Sequence, residues 1–137
     1  MFTAERSEQR KYLAQAWGKH NSNQTLDPLE LQLVKIIEKH PEYQNIINDL
    51  DTEYFPEQGK TNPFLHINLH LTLQDQISLN QPKGIKQIYS NLLKKYNDAH
   101  QVEHIMMEHI AEMIFNSQKY NKPIDLEYYL RSLKELN

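Results

Sequence analysis

The chain has no cysteine, which excludes disulfides, thiolate zinc sites, iron–sulfur clusters and a thiol nucleophile together. Glycine is nearly as scarce, with three in 137 residues, and the six prolines fall where helices should begin. That is the opposite of a turn-rich all-β composition. No apolar run approaches the about 20 residues that span a bilayer, so no membrane partnership is expected. The opening stretch MFTAERSEQRKYL lacks the apolar centre of a signal peptide, and the expected location is cytoplasmic. An excess of positive charge is missing too. Fifteen basic against 18 acidic residues leave a formal charge of −3, which disfavours a nucleic-acid partner held by phosphate neutralisation. Gly-rich phosphate loops and a nucleophile elbow are also absent. Any hydrolytic or oxygen chemistry would therefore have to come from a metal.

What is present reads as one domain over residues 1–137. Hydrophobic residues make up 39% and charged residues 24%, a globular composition, and neither a repeat nor a low-complexity tract interrupts it. Tyr12, Leu13, Ala16 and Trp17 recur at helical spacing within Glu5 to His20. Asp27-Pro28 is a cap followed by a first-turn proline, opening a helix through Leu29, Leu31, Val34, Ile36 and Ile37 to about Lys39. His40-Pro41 breaks it, because a residue before proline is pushed out of the α region. A short helix follows from Pro41 through Ile46, Ile47 and Leu50, then a polar surface loop over 51–62. Pro82 or Gly84 starts a helix carrying Ile85, Ile88, Tyr89, Leu92 and Leu93. A turn at Tyr96-Asn97-Asp98 leads into a long helix to Lys119, and a last helix covers Ile124 to Leu136.

The segment 63–79, PFLHINLHLTLQDQISL, alternates apolar and polar residues as a strand would. A strand of that length is far beyond the usual 5–6 residues, and no second alternating run exists to pair with it. Asn62-Pro63 supplies a helix start, and helix is the better reading. The fold class is then all-α, a compact bundle of about five main helices plus one short helix.

Histidine spacing carries the chemistry. His66 and His70 are four apart, as are His100 and His104, with Glu108 four further on. Residues four apart on a helix stand roughly 5–6 Å from each other at Cβ, close enough to share one ion. At about 100° per residue His66 and His70 join the arc of Leu69, Leu73 and Ile77, while His100, His104 and Glu108 share a stripe with Ala111 and Phe115. Two facing helices would thus offer four imidazoles and a carboxylate. Such ligands suit iron or zinc, with manganese or copper behind. As a strand, the segment would set His66 and His70 about 13 Å apart, too far to chelate. His40 and Glu42 at the helix break, and Glu112 beside the stripe, are further candidates. His20 and His109 are expected to face solvent, and Met106, Met107 and Met113 to fill core space. The alternative is a metal-free polar core in which the histidines, Glu108, Asn62 and Gln74 bond one another, as in a non-catalytic interaction protein.

The run NPFLHINLHL at 62–71, then DQISLNQPKGI at 75–85, resembles a family of small bacterial proteins catalogued as a domain of unknown function. The likeness takes in Ala16-Trp17, His40-Pro41-Glu42-Tyr43, Ala99-His100, Glu103-His104, Glu108 and Glu112. Asn80, His109 and Phe115 depart from the pattern, which has aspartate, cysteine and tryptophan there. The resemblance implies the boundaries and the motif, and no reaction. The motif placement is also similar to hemerythrin-like and DinB-like metal-binding bundles, a likeness of architecture alone. Paired Glu-x-x-His motifs of the ferritin-type di-iron kind do not occur. Substrate and protein partner stay unassigned.

Overall fold

Short polar side chains set the helix starts. The Asp27 carboxylate accepts a 2.7 Å hydrogen bond from the Glu30 amide, and the Glu30 carboxylate accepts one from the Asp27 amide at 3.0 Å. This reciprocal capping box satisfies two donors that a helix end otherwise leaves without partners. Asn62 does similar work downstream, its Oδ1 accepting from the amides of Phe64 and Leu65 at 3.0 and 3.2 Å. Asp98 and Asp125 cap two later helices through the amides of Gln101 and Tyr128.

The structure is a computed structural model describing residues 2–49 and 62–136, with side chains from Glu8 onward. Its described residues form α1 (Phe2–Asn21), α2 (Pro28–Glu38), a 3-10 turn (Pro41–Tyr43), α3 (Pro63–Leu79), α4 (Ile85–Tyr96), α5 (Ala99–Lys119) and α6 (Leu126–Lys134). The all-α expectation holds, with six helices and one short turn in place of about five and one. Residues 63–79 are helical, so length and the Asn62-Pro63 start outweigh the strand-like alternation. The expected loop over 51–62 lies outside the described residues except for Asn62. The helix expected from Pro41 to Leu50 shortens to the 3-10 turn and successive turns through Asn48, and Leu50 is not described.

Gly84, not Pro82, precedes the first residue of α4. It sits at φ +102°, a left-handed conformation that glycine adopts without the Cβ penalty. The Asn80 side chain ties this corner by accepting from the amides of Gly84 and Lys86, both at 3.1 Å.

The chain divides into two compact units, Met1–Leu71 and Thr72–Asn137. In the first, α1 packs on α2 around Leu13, Ala16, Trp17, Val34, Ile37, Ile47 and Ile67. In the second, α5 packs on α4 and α6, burying Ile88, Leu92, Val102, Met106, Ile110 and Leu133. The buried methionines fill space between helices, as expected. Tyr129 is 1% exposed, and its hydroxyl donates to Gln76 Oε1 at 2.7 Å. Burial pushes that phenol far above its ordinary value, so it stays a neutral donor.

Two outcomes follow. Leu13→Ala and Leu92→Ala each cost about 2–5 kcal/mol in urea denaturation, the transfer loss plus the cavity left behind. The hydrogen bond from the Glu30 amide holds the Asp27 carboxyl below its ordinary value, with the Tyr12 hydroxyl adding to it. A lowered folded value gives stability that is present above the ordinary aspartate range and lost as pH falls through the lowered one. Asp27→Asn therefore flattens the acid limb of the stability–pH curve while leaving stability at neutral pH nearly intact, because asparagine also caps.

Candidate metal centre

The centre begins where α2 ends. Pro41 forces the residue before it out of the helical region, and His40 takes φ −127°, ψ 72°. That swing turns its ring back over the last turn of α2. Its Nδ1 meets the Ile36 carbonyl oxygen at 2.8 Å. A carbonyl only accepts, so Nδ1 carries the proton and the neutral ring leaves its lone pair on Nε2. Position in the fold thus fixes the tautomer.

His66 and His70 come from one face of α3, a single turn apart, with ring centroids 4.9 Å from each other. Asn62 sets the register, since its capping starts the helix four residues before His66. Both rings aim Nε2 at the same atom: His66 Nε2 lies 3.1 Å and His70 Nε2 3.2 Å from His40 Nε2. His40 is 3% and His70 2% exposed, and His66 is half-buried. Tyr43, on the 3-10 turn, stacks its ring parallel to His40 (5.1 Å between centroids, 7°) and sets an edge against His66 (5.7 Å, 72°). Burial pushes the Tyr43 phenol up, and Glu42 adds to the rise.

The separations of His66 and His70 from His40 lie near those that one ion imposes. Metal–nitrogen bonds of about 2.0–2.1 Å at tetrahedral angles separate ligand nitrogens by roughly 3.3–3.4 Å, and octahedral neighbours by roughly 2.8–3.0 Å. The observed 3.1 and 3.2 Å fall between. Metal-binding histidines usually donate their other ring N–H to a carbonyl or carboxylate, and His40 Nδ1 makes such a bond to the Ile36 carbonyl. Within the first unit three histidines, His40, His66 and His70, lie close together, each offering a ring nitrogen within 4.8 Å of the others.

The remaining sequence-derived candidates are placed as follows. His100 is half-buried on α5, its ring 4.1 Å from that of His104. Glu108 is exposed, as are Ala111, Glu112 and Phe115. The buried face of α5 instead runs through Val102, Glu103, Met106, Met107, Ile110 and Met113. Glu112 accepts from the Tyr128 hydroxyl at 3.0 Å, and Glu42 is exposed. Gln74 donates to the buried Glu103 at 3.1 Å. His109 and His20, expected in solvent, are half-buried. The first meets the Ser132 hydroxyl at 2.9 Å, and the second stacks on Trp17 at 5.3 Å.

His40 was legible as a secondary candidate and is the hub. The signal was its place before a proline at a helix end, which bends the chain so that the ring can point back along the helix. In long-range nitrogen–proton NMR of the metal-free protein at neutral pH, His40 is expected as the Nδ1-protonated tautomer, the minor form of free histidine. An Nε2-protonated His40 would contradict the assignment.

No curated protein and no solved structure matches the chain. A family model does: the one described as Domain of unknown function (DUF1841) matches residues 5–135, and the chain belongs to that family.

Proposed function

We propose that this chain is a metal-binding helical protein, a single domain over residues 1–137, in which His40, His66 and His70 hold one transition-metal ion, with His100, His104 and Glu108 as further candidates from their spacing. The observation that carries the reading is the meeting of three Nε2 atoms around a ring whose other nitrogen is committed to a carbonyl. An imidazole nitrogen has one in-plane lone pair. Two N–H donors sharing the lone pair of His40 crowd each other, whereas a metal takes one lone pair from each ring.

A nitrogen-only donor set suits borderline-soft divalent ions and leaves magnesium and calcium to oxygen-rich sites. Zinc leads, non-heme iron follows, and manganese and copper stand behind them. Glu108 is exposed, and a set without its carboxylate would favour zinc over iron. Three ring nitrogens with water in the fourth position would make a Lewis-acid centre suited to hydrolysis, and an iron ion there would allow oxidoreductase chemistry. Four ring nitrogens would close the site and make the metal structural or sensory. The competing reading is an interaction protein with a metal-free histidine core, for which the hydrogen-bonding distances between the rings speak.

Metal analysis of the full chain, produced in medium containing iron and zinc, tests this. About one equivalent of zinc or iron is expected in the parent and less than a tenth of that in His40→Ala and His70→Ala, with helical circular dichroism retained. Chelator should lower the parent's melting temperature, since binding at about 100 times Kd adds about 2.7 kcal/mol. A parent that carries no metal and is unmoved by zinc or chelator would overturn the proposal. His104→Ala, His100→Ala and Glu108→Ala define the rest of the ligand set in the same assay.

A further inference from the structure

The histidines account for the bonds to an ion but not for what holds their rings at the right angles. His66 is only half-buried, and it belongs to a different helix from the turn that carries His40. A side chain touching both rings could tie the two segments together, and Tyr43 is placed to do so. Its amide donates to the His40 carbonyl at 2.9 Å, and its own carbonyl accepts from the amides of Ile46 and Ile47 at 3.0 and 3.1 Å. Ile47 is fully buried, so the backbone under Tyr43 is anchored in the core of the first unit. The ring then lies flat on His40, only 7° from parallel, and meets His66 edge-on at 72°. Both arrangements suit the charge distribution of aromatic faces and edges.

Accordingly, we infer that Tyr43 is a positioning residue for the metal centre: its ring, not its hydroxyl, clamps His40 and His66 in the orientation that binds the ion. The inference rests on the metal-binding reading of the same histidines. His40 then has two restraints of different kinds. The Ile36 carbonyl fixes the ring's tautomer and its pivot, and Tyr43 fixes its plane. Removing the second restraint leaves all ligands in place yet lets two of them rotate, and the cost of ordering them moves into the binding step.

The test is the zinc dissociation constant of the full chain, measured by competition with a chelating dye, in the parent and three variants. Tyr43→Leu keeps apolar bulk without an aromatic face and is expected to weaken zinc binding about 10-fold or more, in the range of other outer-shell losses. Tyr43→Phe keeps the ring and should stay within about 2-fold of the parent. Leu13→Ala, a core truncation in the same unit, should lower the zinc-free melting temperature while leaving the dissociation constant unchanged. Parental affinity in Tyr43→Leu would overturn the inference. So would equal weakening in Tyr43→Phe, which would assign the role to the hydroxyl, or in Leu13→Ala, which would reduce the effect to general stability. A parent that binds no zinc would instead bring down the metal-centre reading itself, before any variant is compared.

Discussion

The bond between His40 Nδ1 and the Ile36 carbonyl is the constraint on which the site depends. A helix leaves its last carbonyls without in-helix donors, and the end of α2 is no exception. The Ile36 oxygen receives the Lys39 amide at 3.2 Å and the His40 ring at 2.8 Å. One side chain thereby ends a helix and is oriented for a second task, because committing Nδ1 leaves Nε2 as the nitrogen that faces α3. Were the ring free to flip, neither the direction of the lone pair nor its distance from His66 and His70 would be set.

The other half of the arrangement comes from α3, and it too is a matter of helix ends. Asn62 and Pro63 begin the helix, the phase of the helix puts His66 and His70 on one face, and a single turn brings their rings within 4.9 Å. Three ring nitrogens that meet where His40 and His70 are buried make an arrangement suited to a cation. That physical economy, two helix termini supplying three aligned nitrogens, requires neither an unusual backbone nor a cysteine.

Much of this was legible in the chain. Asp27-Pro28, Asn62-Pro63 and Asp98 announce helix starts because short side chains accept from amides that the helix cannot satisfy, and all three do so. Scarce glycine and the lack of a pairing partner for 63–79 settled α3 against its alternation. The His66/His70 pair followed from spacing alone. The α5 stripe was harder. Spacing groups His104 with Glu108 and Phe115, but the buried residues of this helix, which packs on α4 and α6, include Met106, Ile110 and Met113, and Glu108 falls outside them. His40 was the least visible, because its direction depends on the backbone turn that Pro41 imposes and not on any repeat in the sequence.

The group that fixes His40 is a main-chain oxygen, and that has a consequence for how the site tolerates change. Any residue at position 36 that keeps the helix and fills the space of a side chain only 3% exposed presents the same carbonyl. Substitution at that position would register as a core-packing effect alone, while the orienting contact persisted unchanged. The site's outer shell is therefore written into the backbone, where side-chain replacement does not reach it, and drift at position 36 can proceed among apolar residues without touching the chemistry of His40.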